Sequence, residues 1–325
     1  MRLDRLNFFM SVVHSGSIAA ASREVNLAQP ALSKHMRALE DELGVALFER
    51  SVRGVTLTKA GERLYERGTS VLRRIDQIRH EVVETGESPV GEVCIAIAAS
   101  MAPVLAGYLF WRARAVYPDI DLRIRDAYTV MSRNLVRTGA VDVALVPNVA
   151  ALENVRSLPL ISQKFYLVGR SFPGGMGPTV ELRDLRGFPL VMGTRNNHFR
   201  ISLENIALRE GHSLNIVIEQ ESIPVYRSII LSGPAYTVVP YSAFAEEIAG
   251  GALQAKEIVN PPVERVLSMA WNDSGGLSVA TEAIKSLFET CVRELVAEGK
   301  LVGRILSKEP DIEPRPGPAR DDISP

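Results

Sequence analysis

The chain has 325 residues, of which 46% are hydrophobic and 23% charged, and its formal net charge is −1. These are ordinary values for a globular protein of about two domains. No apolar run approaches the roughly 18 residues that a membrane span needs, and segment 1–10 lacks the apolar core of a secretory signal. We therefore expect a cytoplasmic protein without a membrane partner.

Charge is distributed unevenly along the chain. Residues 1–80 contain 13 Lys and Arg against 9 Asp and Glu, a net of +4, which leaves −5 for the remainder. A basic N-terminal module on an acidic body favours a polyanion-binding head. The charge asymmetry is modest, so sequence motifs, and not charge alone, must show whether the N-terminal module binds nucleic acid.

Two short helices are predicted at the N-terminus. Apolar residues recur at helical spacing from Leu6 to Val13, and Ser15-Gly16-Ser17 ends this first helix. Ser17 suits the N-cap of a second helix over Ile18 to Val25. Asn26 suits the left-handed residue that follows a helix.

A third helix is predicted from Gln29 to about Glu42, with Pro30 in its first turn, where a missing N–H costs nothing. Its predicted buried stripe consists of Ala31, Leu32, Met36, Leu39 and Leu43. Two short helices joined by a tight turn make a helix-turn-helix. Gly54 lies between the β-branched flanks of 47–53 and 55–58, which predicts a small two-stranded wing.

The polar face of the third helix carries the side chains suited to DNA. Gln pairs with adenine, Lys with guanine, and Ser with either bases or phosphates. The candidates for base edges are Gln29, Pro30, Ser33 and Lys34, and those for phosphates or a minor groove are Arg37, Arg50 and Arg53. A solvated polar face on an ordinary three-helix bundle is the alternative interpretation of the same pattern.

The segment Phe8 to Leu64 resembles the DNA-binding region of LysR-type transcriptional regulators almost position by position. The matching residues are Phe9, Ser15-Gly16-Ser17, the Ala-rich second helix, Gln29 to Ser33, Leu39-Glu40, Leu43-Gly44, Leu47 to Arg50, and Leu57 to Gly61. One departure is Ala28, where the family usually has Ser or Thr. Without that hydroxyl the helix start should be about 1 kcal/mol weaker, and one phosphate contact is in doubt.

Residues 59–87 predict one long helix, which ends at the Pro89 to Gly91 break. Its apolar or small positions follow the a/d spacing of a coiled coil: Leu64, Gly68, Val71, Ile75, Ile78 and Val82. A helix packed on its own domain is the alternative. The resemblance implies a dimerisation helix, and therefore a homodimer that assembles into a homotetramer.

Residues 88–305 alternate strand-like and helix-like segments. Val93 to Ala98, Asp121 to Arg125 and Val141 to Val146 read as strands, with helices at about Pro103 to Tyr117 and 131–139. The order β-α-β-α-β predicts an α/β domain with a largely parallel sheet. Further strands are expected over 165–168, 190–192, 216–218, 236–239 and 267–271, followed by a helix from about 278 to 298.

LysR-type sensor domains resemble type II periplasmic binding proteins, in which two α/β subdomains enclose the effector. The resemblance implies subdomain I at about 92–161 and 266–305 and subdomain II at about 162–265. Ligands of such sheets bind beyond the carboxyl ends of the strands. The effector-binding candidates are therefore Ser100, Met101, Thr129, Asn148, Thr194, Arg195, Asn196, Asn197 and Phe199.

The family implies that the effector is a small organic acid or a similar polar metabolite. Arg195 or Arg200 would suit a carboxylate, although either could instead form an internal salt bridge. The polar turn 194–200 has a second interpretation, as helix capping and loop solvation. Residues 306–325 are rich in Pro, Asp and Arg and predict a disordered tail.

Other classes of protein fit less well. The histidines are scattered without metal-ligand spacing, and P-loop, GxGxxG and GxSxG motifs are absent from the sequence, so we expect no enzyme, metal or cofactor. Cys94 and Cys291 read as buried free thiols rather than as a redox pair. A solute receptor would leave the first 60 residues unexplained. The expected partners are double-stranded promoter DNA, the effector, further copies of the chain and, as a candidate, RNA polymerase.

Overall fold

The computed structural model describes residues 1–51, 54–83, 89–147, 155–173, 177–272 and 276–306. The N-terminal domain consists of three helices followed by a two-stranded hairpin. These are α1 (Leu3–Ser15), α2 (Ile18–Glu24), α3 (Gln29–Leu43), β1 (Phe48–Ser51) and β2 (Gly54–Leu57). The predicted winged helix-turn-helix is confirmed. Helices α2 and α3 match their predicted bounds within one residue, and α1 begins three residues before Leu6, where its apolar pattern starts.

The helix ends follow the local chemistry of the sequence. The Ser17 side chain accepts a hydrogen bond from the Ala20 amide at 3.0 Å, and Asn26 has a φ of +52°. Ten buried apolar residues form the core: Leu6, Phe9, Met10, Val12, Ala21, Leu32, Met36, Leu39, Leu47 and Phe48. The prediction was wrong for Leu43, which is 41% exposed, because it occupies the last helical turn, beyond the reach of this core.

Two glycines allow the parts of this domain to approach closely. A Cβ on Gly61 would lie 2.1 Å from the Leu47 carbonyl oxygen, so only glycine lets the following helix pass behind the hairpin. Gly54 has a φ of +128°, and its Cβ would lie 2.6 Å from the Gly16 carbonyl oxygen. The Val55 amide donates to that same oxygen at 3.1 Å. The hairpin is thereby fixed against the turn between α1 and α2.

The linker helix α4 (Lys59–Val83) packs its first turns on the N-terminal domain. A Cβ on Gly68 would approach Met10 and Leu6 to 2.5 and 2.7 Å, and Leu64 packs against the same core. Further along, Val71 and Ile78 are 45% and 46% exposed. The side chain of Val82 and residues 84–88 lie outside the described part of the chain.

Subdomain I has a central sheet with helices on both faces. Its elements are β3 (Gly91–Ala98), α5 (Ala102–Val116), β4 (Ile120–Ala127), α6 (Thr129–Arg137), β5 (Val143–Pro147) and α10 (Val279–Ala297). Strands β4, β3 and β5 are parallel neighbours, as the β-α-β-α-β pattern predicts. One apolar cluster lies under α5 and α10, and a second lies under α6.

Subdomain II repeats this arrangement. Its elements are β7 (Thr179–Glu181), a 3₁₀-helix (Leu182–Gly187), β8 (Leu190–Met192), α7 (His198–Arg209), β9 (Ile216–Glu219), α8 (Ile223–Ser232), β10 (Tyr236–Pro240), a 3₁₀-helix (Tyr241–Phe244), α9 (Ala245–Ala249) and β11 (Gln254–Val259). Strands β10, β8 and β9 are parallel. Strands β7 and β11, which pair with each other, were not predicted.

Two long strands connect the subdomains. Strand β6 (Val155–Gly169) and strand β12 (Glu264–Asn272) pair antiparallel over their shared length. Strand β12 also pairs with β5 and β6 with β10, so one hydrogen-bonded path runs through both sheets. The short β13 (Arg304–Ile305) pairs with β6 at this crossing. Among the described helices, none combines the length and apolar character that a membrane span requires.

Candidate DNA-binding surface and effector cleft

The outer face of α3 presents polar side chains to solvent. Gln29, Pro30, Lys34 and Arg37 are exposed and Ser33 is half-buried, opposite the buried leucines and Met36 of the same helix. A helix with one apolar and one polar face can pack on the domain core through the first face and bind a ligand such as DNA through the second. These side chains form no hydrogen bond or ion pair within the described residues, so their donors and acceptors are free for a ligand.

The hairpin is held in a fixed position beside α3. Glu40 in α3 accepts hydrogen bonds from the amides of Leu47 and Phe48 at 2.8 and 3.2 Å. The strands then pair from Phe48 opposite Leu57 to Ser51 opposite Gly54. Arg53 and the side chain of Arg50 lie outside the described residues, so their part in DNA binding stays a prediction.

Ala28 occupies the N-cap of α3 in an extended conformation and makes no side-chain capping hydrogen bond. This is the consequence expected from the absent hydroxyl. The amides of Ala31 and Leu32 donate instead to the Ala28 carbonyl oxygen at 2.9 and 3.1 Å, which are the ordinary first bonds of the helix. Because Pro30 has no N–H, the Gln29 amide is the one that remains available to a phosphate in this first turn.

A cavity of about 760 Å³ opens between the two subdomains. The residues that follow β3, β4, β8 and β10 line it, together with the first turns of α7 and α8. This is the edge where an α/β sheet exposes its strand ends, and the volume suits a small metabolite. The cleft is therefore the candidate effector site.

The polar turn before α7 is largely a capping structure. Asn197 accepts hydrogen bonds from the amides of Phe199 and Arg200 at 3.0 and 3.2 Å. Thr194 donates to Glu221 Oε1 through its amide at 2.7 Å and its hydroxyl at 2.8 Å, and Asn197 Nδ2 donates to Glu221 Oε2 at 3.0 Å. Asn197 and Glu221 line the cleft, whereas Thr194 and the exposed Asn196 do not.

Neither arginine suggested for a carboxylate ligand is free for that role. Arg200 is 5% exposed and pairs with Glu204 at 3.1 Å and Glu219 at 2.9 Å. Burial alone would lower the pKa of Arg200, but these hydrogen bonds raise it above its ordinary value. The Arg195 side chain is 86% exposed, 3.5 Å from Glu219, and outside the cleft lining. Arg200 therefore forms the internal salt bridge that the sequence left open as its alternative.

The remaining predicted effector residues fall in different places. Ser100 and Phe199 line the cleft. Met101 is fully buried in the core of subdomain I and does not line it. The side chain of Thr129 and all of Asn148 lie outside the described part of the chain.

Arg265 is a cleft residue that the sequence analysis missed. It follows Glu264 at the start of β12, and its Nη2 donates to Ser100 Oγ and to Gln163 Oε1, both at 2.8 Å. Its Cζ lies over the Phe165 ring, 5.6 Å from the centroid. Burial lowers the pKa of Arg265 to about 9. Its position in the sequence could have identified it. Arg265 lies at the predicted boundary between subdomains II and I, where the chain crosses from one to the other, and both crossing strands border the cleft.

Aromatic rings line the cleft. Phe199 stacks on Phe165 with 3.7 Å between ring centroids and 6° between ring planes, which makes a flat apolar wall. Tyr128, after β4 in subdomain I, lies across the cleft from Ile223 at the start of α8. Burial raises the pKa of Tyr128, so the phenol is a neutral group at this edge of the cleft.

Comparison with known proteins agrees with this architecture. The family "LysR substrate binding domain" matches residues 86–295, and "Bacterial regulatory helix-turn-helix protein, lysR family" matches residues 3–62. The chain belongs to the LysR family. It is a DNA-binding transcriptional regulator with a C-terminal effector-binding domain.

Relatives and solved structures span nearly the whole chain. The nitrogen assimilation regulatory protein nac of Klebsiella aerogenes is 29% identical over 295 residues, covering 90% of this chain and 95% of the relative. The hydrogen peroxide-inducible genes activator of Haemophilus influenzae is 23% identical and covers 91% and 99%. Full-length CbnR in complex with its target DNA has the same fold, with a TM-score of 0.65, 22% identity and coverage of 90% and 99%.

Proposed function

We propose that this regulator recognises promoter DNA through α3 and the hairpin, and that a small organic acid or similar polar metabolite in the cleft controls it. The observation that carries the first half is the face of α3, where Gln29, Lys34 and Arg37 are exposed and uncommitted to other described residues. A rigid helix whose polar side chains are free matches the major groove in shape and in hydrogen-bonding chemistry.

The effector controls the angle between the subdomains in this proposal. Only β6 and β12 carry the described chain across at the base of the cleft, so the two subdomains can close on a bound ligand as on a hinge. Tyr128 and Ile223 line the cleft from its two sides, so closure would change the distance between them. A ligand that prefers the closed form shifts the population toward it, which repositions the DNA-binding domains of an oligomer.

Two apolar surfaces support the proposed homodimer and homotetramer. Val71 and Ile78 are exposed on α4, where a second copy of that helix would cover them. On the effector domain, Trp111 is 72% and Leu208 64% exposed. A tetramer requires two separate interfaces, and these two surfaces lie on different domains.

The test is a titration of the full-length protein against the DNA fragment upstream of its own gene, at several salt concentrations. We expect specific binding whose affinity falls steeply with salt, because each phosphate contact releases counterions. An unrelated fragment of equal length serves as the control for non-specific binding. Equal affinity for both fragments, with or without metabolites, would contradict the proposed function.

A further inference from the structure

Arg265 differs from the other well-packed arginines in having no acidic partner. Two neutral oxygens, from Ser100 and Gln163, accept from its Nη2. Its Nε is buried and without a hydrogen-bond partner among the described residues, as is that of Arg112. The distinguishing feature of Arg265 is that, within the same residues, no carboxylate lies at salt-bridge distance. Arg112, Arg200 and Arg293, by contrast, pair with Glu294, Glu219 and Glu289 at 2.8 to 2.9 Å.

Arg265 is half-buried, so its charge loses part of its hydration without gaining a counter-ion. That loss destabilises the fold, and hydrogen bonds to neutral oxygens offset only part of it. Burial depresses the pKa of Arg265, which is a second sign of the same cost. Groups that destabilise the fold in this way are typical of binding sites, where a ligand supplies the missing interaction.

The residues around Arg265 indicate the charge and polarity of such a ligand. Arg133 of α6 adds a second cation to the cleft lining. The acids there are otherwise engaged, since Glu221 accepts from Thr194 and Asn197 and Glu264 accepts from Ser162 at 3.2 Å. The rest of the nearby wall is apolar: Phe165, Phe199, Met192, Ile206, Val238 and Val263.

We propose that Arg265 is the receptor for the carboxylate of the effector, and that the effector is a carboxylic acid with an apolar, preferably flat, body. The carboxylate becomes the counter-ion of the guanidinium, and the body lies along the Phe199 ring, which stacks on the buried Phe165 ring. This inference rests on the proposed function only in placing the effector in the cleft. In this proposal Arg265, rather than Arg195 or Arg200, binds the carboxylate of the effector.

Gln163 connects this charge to the hinge. Its side chain accepts from Arg265 and donates to the Val302 carbonyl oxygen at 3.1 Å and to Ser242 Oγ at 3.4 Å. It therefore joins the guanidinium on β12 to subdomain II and to the segment after α10. An anion on Arg265 would therefore be one hydrogen bond away from β6, the second crossing strand.

The first experiment needs no ligand and compares melting temperatures in a low-salt buffer. Arg265→Gln removes the unpaired charge but keeps a donor. Ser100→Asp introduces a carboxylate beside the guanidinium, at the residue whose hydroxyl oxygen is 2.8 Å from Nη2. We expect both variants to melt about 2–4 °C above the wild type. Arg195→Gln, at an exposed arginine outside the cleft, is the matched control and should stay within about 1 °C. Melting of both cleft variants at or below the wild-type temperature would overturn the proposal.

The second experiment uses phenylacetate, its uncharged analogue phenylacetamide, acetate and inorganic sulfate as probes. Phenylacetate should raise the melting temperature of the wild type and of Arg195→Gln in proportion to the logarithm of its concentration. It should have at least tenfold lower affinity for Arg265→Gln and Ser100→Asp. A response to sulfate alone would assign the site to inorganic anions, and equal responses to phenylacetamide or in all variants would also refute the carboxylate receptor.

The two proposals can fail separately. If these shifts appear but the upstream fragment is not bound specifically, the regulatory function is refuted and the anion site stands. If specific DNA binding is present and phenylacetate, acetate and sulfate leave the wild type unchanged, the anion site is refuted and the regulatory function stands.

Discussion

The DNA-binding domain and the effector cleft hold their functional side chains in opposite ways. On α3, Gln29, Lys34 and Arg37 project into solvent and take no part in the internal contacts of the domain. In the cleft, Ser100, Gln163 and Arg265 form one hydrogen-bonded network with the hinge strands. Recognition is therefore separable from stability in the first region and coupled to it in the second. This difference predicts which substitutions change function alone.

The largest expected effect is at the joint beneath the DNA-binding surface. Gly61→Ala places a Cβ 2.1 Å from the Leu47 carbonyl oxygen, which backbone atoms cannot avoid without displacing the hairpin or α4. We expect a loss of about 3 kcal/mol or more in the free energy of unfolding, measured by denaturant titration. In the control Gly107→Ala, the Cβ of a glycine in α5 meets nothing within 4 Å, and stability should rise by about 0.5 kcal/mol. Equal effects would refute the steric explanation.

The DNA face should show the reverse behaviour. In the double variant Ser33→Ala, Lys34→Ala we expect affinity for the specific site to fall about 30-fold or more, because each of the two base contacts contributes roughly 1–3 kcal/mol. Its melting temperature should remain that of the wild type, since neither side chain has an intramolecular partner in the described chain. Unchanged site affinity would show that α3 is not the recognition helix.

The paired arginine next to the cleft provides a contrast with Arg265. Arg200→Gln leaves Glu219, Glu204 and the Gly193 carbonyl with fewer donors, so we expect a loss of about 1–2 kcal/mol in the free energy of unfolding. Thermal denaturation of both glutamine variants checks this directly. A rise for Arg200→Gln, or a fall for Arg265→Gln, would remove the distinction between a structural and a ligand-binding arginine.

The difference in stability between the wild type and Arg200→Gln should depend on pH because of Glu219. Its hydrogen bond from Arg200 holds the pKa of Glu219 below its ordinary value of 4.5. A carboxyl with a lowered pKa stabilises the fold above its unfolded-state pKa, and that contribution is lost as the pH falls through the folded-state pKa. The stability advantage of the wild type over Arg200→Gln should therefore be constant near neutrality and shrink below about pH 4.5.

The smallest expected effect concerns the thiols. Cys94 is 3% and Cys291 0% exposed, and burial raises the pKa of Cys291 to about 11. They belong to apolar clusters on opposite faces of the β3 sheet, so a disulfide between them would require unfolding. One relative is named a hydrogen peroxide-inducible genes activator. For this chain, by contrast, we expect hydrogen peroxide to change the affinity for DNA by less than about twofold. Ellman's reagent should label both thiols only after denaturation.

Local chemistry explains why the DNA-binding domain was predictable. Ser17, Asn26 and Pro30 set helix ends through their own backbone preferences, and the spacing of Leu32, Met36 and Leu39 indicates the buried face without reference to any distant residue. The error at Leu43 arose because periodicity continues to the end of a helix, whereas the core beneath it does not. In the effector domain, β7 was missed because it is only three residues long. β11 was missed because it owes its place to pairing with β6 and β7, which lie far from it along the chain.

By itself, the sequence determined the domain order, the helix-turn-helix, the polar face of α3 and the α/β character of the effector domain. These follow from periodicity and capping, which act over a few residues. Only the tertiary structure decided which arginine faces the cleft without a carboxylate. Arg200 and Arg265 have the same chemistry, and their difference depends on Glu204 and Glu219 packing beside one of them and Ser100 and Gln163 beside the other. Charge compensation is a property of neighbours in space, and the partners of Arg265 lie 165 and 102 positions away along the chain.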